Sequence, residues 1–352
     1  MNELLKQLTD AVGVSGDEVE IRTLIRDLIV DHVDEWHADA LGNILAVKKG
    51  TGASDLRVMV DAHMDEVGII IDEIRSDGML RFSNIGGLSS LTLAGQVMQI
   101  GRKKVRGVIG LKPVHLLSKR ERHTIPSAGS LYIDIGAKDK AAAASKIKVG
   151  DRGTFWSEYV EFGDVAGDFG RSAIAKAFDN RAACAALIEL LRGDPFPFDL
   201  HAAFTCQEEV GLRGAKVAAY AIKPDVGIVL ECTPAYDLPN KLDRGSNTSL
   251  GQGPALYVMD SQTIQDPRLV RHIMQTGDAN KIPYQIRRPG GGGTNTGNIQ
   301  RADLGCSAAT IGLPGRYAHT AATLINLRDY ANYVKLADAA LRSLTQETIK
   351  RG

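Results

Sequence analysis

The chain lacks an excess of either charge: Lys plus Arg and Asp plus Glu number 42 each in 352 residues. Such a balance builds no field that would gather nucleic acid or an acidic membrane, and no local basic block or aromatic-rich basic stripe occurs. Small substrates and protein partners remain. Cysteine is scarce. Cys184, Cys206, Cys232 and Cys306 stand singly with no CxxC pair, which argues against a disulfide framework or a structural zinc knuckle and for reduced core thiols. No apolar run approaches the length of a membrane span, and the opening MNELLKQLTDAV carries acids and lacks the apolar core of a secretory signal. The expectation is a soluble, cytoplasmic protein without nucleic-acid or membrane partners. Internal repeats are absent too, and the glycine run at 290–294 is short enough to be a loop.

The length favours two domains. Ser15 and Glu18 have the spacing of a capping box, and Ile21, Leu24, Ile25, Leu28 and Ile29 then fall on one helical face. ILAVKKG and LRVMVDAH read as strands, the second ending in the polar cluster DAHMDEVG. From about Val67 to about Asp164 the texture changes to short alternating runs punctuated by glycine, among them GIIIDEI, MLRFSNIGG, QVMQIG and SLYIDIGA, with only AKDKAAAASKI helical. From Ser172 a longer rhythm of strands and helices returns, ending in a helix from Asp329 to Leu344. These patterns predict an α/β catalytic domain, residues 1–67 and 165–352, interrupted by a β-rich insertion over 68–164.

In open α/β sheets ligands bind beyond the carboxyl ends of the strands. Several strand ends here carry possible metal ligands: His63, the adjacent Glu208 and Glu209, Glu231, and His319 shortly after CSAATIGLPGRYA. Asp179 precedes a helix, where by itself it reads as an N-cap. Each residue alone has an ordinary structural explanation; their recurrence at equivalent ends of different strands does not. Imidazole plus carboxylate without thiolate suits zinc, cobalt or manganese. Two histidines and three carboxylates are too many for one open catalytic ion but serve two ions about 3.5–4 Å apart if one carboxylate bridges. A further carboxylate must then move the proton. Asp65, two residues after His63, is placed to accept the second imidazole N–H, with a turn residue as the alternative. Two neighbouring glutamates reach one site only where the strand ends and Gly211 lets the backbone turn.

The ordered motifs DAHMDEVG, KAFDNRAACAAL, TCQEEVGLRGA, VLECTPAYDLP and LPGRYAHT resemble the M42 metallo-aminopeptidases over nearly the whole chain. The resemblance implies that His63, Asp179 and Glu231 hold one metal and Asp179, Glu209 and His319 the other, with Asp179 bridging. It implies Glu208 as general acid and base, and Asp65 as the partner of His63. It further implies a three-layer, mixed-sheet α/β domain of the phosphorylase/hydrolase-like type and a small PDZ-like β-barrel used for dimerisation. Peptides are the implied substrates, and the dimers are expected to assemble into a hollow tetrahedral dodecamer. Two departures stand out. GGTNTGN places Asn295 where relatives often have an acid, on a loop expected near the substrate pocket, and Glu231 stands where aspartate is common. Asp237 is a competing ligand candidate, six residues past its strand end. The alternatives are a related binuclear carboxypeptidase or deacylase and an inactive scaffold of the same fold; a glycosidase needs a carboxylate pair flanking a sugar instead.

Overall fold

The computed structural model describes residues 2–163, 170–238 and 247–351; the expected domain boundary between 164 and 165 lies outside them. Leu200–Thr205, Val58–His63, Val226–Pro234 and Ser307–Arg316 run parallel at the middle of an eleven-stranded sheet. They are buried almost throughout, as strands covered on both faces must be, and this is why their sequences read as nearly continuous apolar runs. Antiparallel strands extend the sheet: Ile44–Lys48 and Glu35–Ala38 on one side, Thr323–Asn326, Ser172–Ala175 and Val160–Phe162 on the other.

Strand alternation divides the core between two helical layers. Val58, Val60 and Ala62 pack with Leu5, Ile25, Ala182, Leu269 and Tyr330, whereas Met59 packs with Ala215, Ala218 and Ile299 on the opposite face. The helix Phe178–Arg192 is buried on nearly every side. Its small residues Ala182, Ala183, Ala185 and Ala186 give it no polar face to turn outward.

Six further strands, Gly68–Ile74, Leu80–Ile85, Tyr132–Asp134, Val105–Gly110, Val97–Ile100 and Arg152–Phe155, form a closed barrel between the first and second parts of the sheet sequence. Its core is separate, built from Ile69, Phe82, Met98, Ile109, Ile133 and Phe155. Closure leaves these strands without free edges. The barrel ends at Phe155, and Val160–Phe162 already pairs with Ser172–Ala175 in the large sheet, so the chain returns before residue 164. That short alternating strand has the texture of a barrel strand, which is why composition does not separate them.

The capping-box expectation is corrected. Helix Val19–Ile29 has Glu18 at its N-cap with no side-chain cap, the Glu18 carboxylate accepts from the Gly16 amide, and the Ser15 hydroxyl goes to Asp65. Among the described residues no helix is long and apolar enough to cross a membrane.

Candidate metal centre

His63 ends its strand, paired in register with Thr205 at the end of the neighbouring strand. Beyond Thr205 the chain turns sharply: Gln207 adopts φ 55°, Gly211 φ 122° and Leu212 φ 58°. Asp65 fastens this turn. Its Oδ1 accepts from the Glu208 amide at 2.9 Å, and its Oδ2 accepts from the Glu209 amide at 3.2 Å and from the Ser15 hydroxyl at 2.5 Å. The two glutamates therefore escape strand alternation and both face the site. Gly211 is only one of three left-handed positions that make this possible, and Gln207 and Leu212, which have a Cβ, bear the strain.

The Asp65 backbone oxygen lies 3.1 Å from His63 Nδ1, and its carboxylate Oδ1 lies 3.4 Å away. The imidazole is thus oriented chiefly by the backbone, while the carboxylate serves the glutamate turn. On the other side, His319 adopts φ 62°, and its Nδ1 donates to the Gly87 carbonyl, 3.0 Å away in the loop after barrel strand Leu80–Ile85. In both rings the Nδ1 contact leaves Nε2 facing the site, the arrangement a metal-ligating imidazole requires. Asp179 lies in the first turn of helix Phe178–Arg192 but has φ −80° and ψ 101° and does not act as an N-cap.

The Asp179 carboxylate divides between the two imidazoles. Its Oδ1 lies 3.2 Å from His63 Nε2, and its Oδ2 lies 3.3 Å from His319 Nε2. Glu231 Oε1 is 3.4 Å from His63 Nε2, and Glu209 Oε1 is 3.2 Å from His319 Nε2. Two groups of potential ligand atoms result, His63 with Asp179 and Glu231, and Asp179 with Glu209 and His319. Glu208 approaches His63 Nε2 less closely, at 3.9 Å. It also belongs to a third possible cluster, with His63 and Glu209.

Burial alone would lower the His63 imidazole, but Glu231, Glu208, Asp179 and Asp65 outweigh it and hold its pKa well above the usual histidine value. His319 is likewise raised to about 11 by Asp179 and Glu209 against the effect of burial. Burial, with neighbouring carboxylates, pushes Glu231 up to about 7 and Glu208 well above the ordinary range. Asp179 is held low by the two imidazoles despite its burial. A metal-free site therefore keeps its charges apart with protons. Glu231 Oε2 is buried without a hydrogen-bond partner, and Glu209 Oε1 has only the His319 imidazole beside it, an expensive arrangement that cations would relieve. The Cys232 thiol beside Glu231 is raised far by burial, so it does not compete as a thiolate. The donor set fits divalent cations.

This fit carries a prediction. Both imidazoles hold a proton more tightly than a free histidine, and a metal needs them neutral, so binding should expel protons and weaken as pH falls. Calorimetry in two buffers of different ionisation enthalpy measures the release. Binding without proton release would contradict the charge arrangement.

The site opens into a cavity of about 600 Å³ lined by all six of His63, Asp179, Glu208, Glu209, Glu231 and His319. Asp237 is outside the metal clusters: its carboxylate pairs with Arg316 at 2.6 and 2.7 Å and accepts from the Leu250 amide, so it shapes a loop. The expectation for Asn295 is corrected in part. Gly291, Gly292, Gly293 and Thr294 line the cavity, but Asn295 is fully buried and donates to Asp61 at 2.8 Å and to Thr205 at 3.0 Å. It anchors the loop rather than meeting substrate.

Three supports escaped the sequence: Ser15, the Gly87 carbonyl and the Glu66 cluster. Glu66 is buried with Lys176 at 2.9 and 3.0 Å and Arg181 at 3.4 Å, and accepts from Thr154 at 2.7 Å. Charged residues inside the small, apolar stretch AKAFDNRAACAAL were the available signal.

The sequence profile of the family described as M42 glutamyl aminopeptidase matches residues 42–336. A putative aminopeptidase of Acetivibrio thermocellus is 38% identical, covering 97% of this chain and 98% of its own. The lysyl aminopeptidase of Pyrococcus furiosus is 34% identical, covering 97% of each chain. Among solved structures, an aminopeptidase of the archaeon Desulfurococcus kamchatkensis superposes with a TM-score of 0.93 at 35% identity, covering 99% of this chain and 96% of that one. Fold and sequence agree over nearly the whole chain, and it belongs to the M42 family of aminopeptidases, hydrolases that act on peptides.

Proposed function

We propose that the protein removes N-terminal residues from peptides at a two-metal centre. The observation that supports this most is the division of the Asp179 carboxylate between two imidazoles, each backed by its own glutamate. Two divalent ions, zinc or cobalt with manganese as a further choice, held by His63, Asp179 and Glu231 and by Asp179, Glu209 and His319, would supply Lewis acidity toward the scissile carbonyl and an activated water.

The remaining work falls to the chain. Glu208 takes a proton at its carboxylate as the water attacks the carbonyl carbon, and returns it to the leaving amine. Its raised proton affinity suits that exchange. Asp65 holds the backbone of Glu208 in place, and the Gly87 and Asp65 carbonyls keep both imidazoles oriented. We read the large sheet as phosphorylase/hydrolase-like and the barrel as a PDZ-like dimerisation module, with dimers building a tetrahedral dodecamer. Exposed Leu91, Val108, Val114, Leu116 and Ile125 in the barrel region support an interface there. A cytoplasmic setting fits four free thiols.

Aminoacyl p-nitroanilides with free and N-acetylated amines, each with zinc, cobalt and manganese, test the reading. Free-amine substrates should be hydrolysed and blocked ones refused. Equal cleavage of blocked substrates would favour the related amidase, and no hydrolysis with any metal would favour the scaffold.

A further inference from the structure

The loop that carries Glu208 and Glu209 is fastened at its outer turn by Asp65, but its two feet are held by a residue to which the chemistry gives no part. Cys206 directly follows the strand Leu200–Thr205, and Gly214 lies in the first turn of helix Arg213–Ile222. Between them the chain closes on itself: the Gly214 amide donates to the Cys206 carbonyl at 3.0 Å, and the Arg213 amide to the Gln207 carbonyl at 3.2 Å. Asn43, fully buried, bridges both feet with its side-chain amide. Its Oδ1 accepts from the Cys206 amide at 2.9 Å, and its Nδ2 donates to the Gly214 carbonyl at 3.0 Å, across 171 positions.

The bridge has one orientation. Nδ2 also donates to Asp39 Oδ2 at 2.7 Å, and Asp39 Oδ1 accepts from the amides of Leu41, Gly42 and Asn43 at 2.9, 2.9 and 3.0 Å. Two acceptors on the nitrogen side and a backbone donor on the oxygen side leave the amide no other way round. A Cβ on Gly214 would lie 2.4 Å from Asn43 Oδ1 and 2.3 Å from the Cys206 carbonyl oxygen, so the clamp closes only over glycine. Asn43 immediately precedes strand Ile44–Lys48, whose Ile44 pairs with Phe204, and the next residue, Thr205, pairs with His63. The clamp is thereby tied to the sheet that carries the site.

We infer that Asn43 is a positioning residue for the reaction: by clamping both feet of the 206–214 loop, its amide fixes where Glu208 exchanges its proton and where Glu209 meets its metal. This rests on the two-metal reading above. Asn43 does not line the cavity, so it acts only through the loop. A single residue separates Cys206 from Glu208, and any shift of the feet passes to both glutamates. Without the clamp the Cys206 amide and the Gly214 carbonyl each lose a buried partner, and the strained turns between them lose their anchor. The two ligand groups are affected unequally. Asp179, Glu209 and His319 draw on this loop, whereas His63, Asp179 and Glu231 do not.

Asn43→Ala removes the clamp and leaves every cavity-lining side chain in place. At saturating metal its kcat should fall about a hundredfold, while KM for an aminoacyl p-nitroanilide changes less than about threefold, as when catalytic groups are misplaced by about 1 Å. Cobalt titration of chelator-stripped protein supplies a second readout. The ratio of the two stepwise dissociation constants should widen about tenfold or more in the variant, since only one ligand group uses the loop. Partial unfolding weakens both ions alike, so the ratio separates positioning from a loss of fold. Amide exchange in stripped wild-type protein needs no variant: the Cys206 amide should exchange as slowly as the amides of strand Leu200–Thr205. Rapid exchange at Cys206 overturns the assignment. So does an Asn43→Ala enzyme with near-normal kcat, or one that loses both ions in equal measure. A wild type that binds fewer than two ions overturns the two-metal reading instead, and kcat and amide exchange still decide the part of Asn43.

Discussion

Glu208→Gln is expected to keep the fold and the metal content and to lose turnover by about a thousandfold. The substitution preserves shape and leaves the backbone amide of residue 208 on Asp65 Oδ1, so the turn that also carries Glu209 stays fastened. What disappears is the group that exchanges a proton. The Glu208 carboxyl lies among Glu231, Glu209 and Asp65, which with burial raise its pKa; a neutral amide removes that repulsion. The metal-free variant should therefore be no less stable than the wild type while being nearly inactive. Steady-state kinetics with metal analysis on the same sample checks this, with the loss expected in kcat rather than KM. A variant with near-normal kcat would remove Glu208 from proton transfer.

Glu66→Ala is expected to cost about 3–5 kcal/mol of folding stability. Glu66 is buried between Lys176 and Arg181 and also accepts from the Gly13 amide and the Thr154 hydroxyl. Removing it strands two buried cations. Arg181 keeps three carbonyl acceptors, from Met64, Leu8 and Ala11, but Lys176 keeps only that of Ala11. Burial already lowers the Lys176 pKa against the opposing pull of Glu66, so losing Glu66 should lower it further. Changing Lys176 to Met in the same chain should recover part of the loss, because it removes one of the stranded charges. Urea denaturation of the single and double variants measures both. A loss below about 1 kcal/mol for Glu66→Ala would show that the cluster contributes little.

The cluster also explains what was hard to read. His63, Glu208, Glu209, Glu231 and His319 announce themselves because strand ends are marked by the close of an apolar run, and polar residues there are conspicuous. Asp179 is equally visible at a helix start, although its local reading as a cap is superseded by the two imidazoles it faces. Glu66 finds Lys176 across 110 positions, and Asn295 finds Asp61 across 234. Nothing local in either stretch records such a partner. Ser15 misleads for the opposite reason: its spacing to Glu18 satisfies a local rule, but a buried Asp65 carboxylate is the stronger acceptor once the chain folds back. The barrel is legible in its glycine-punctuated alternation, whereas its end is not, since Val160–Phe162 alternates in the same way yet joins a different sheet.

The central claim is that the His63, Asp179, Glu209, Glu231 and His319 cluster is a two-metal engine for peptide hydrolysis. Titrating chelator-stripped protein with zinc, cobalt or manganese while following bound metal and hydrolysis of a free-amine substrate tests it most directly. The account predicts about two ions bound per chain, with hydrolysis absent from stripped protein and restored as the ions bind. Full activity in the stripped protein, or no ion bound at saturating metal, would contradict it.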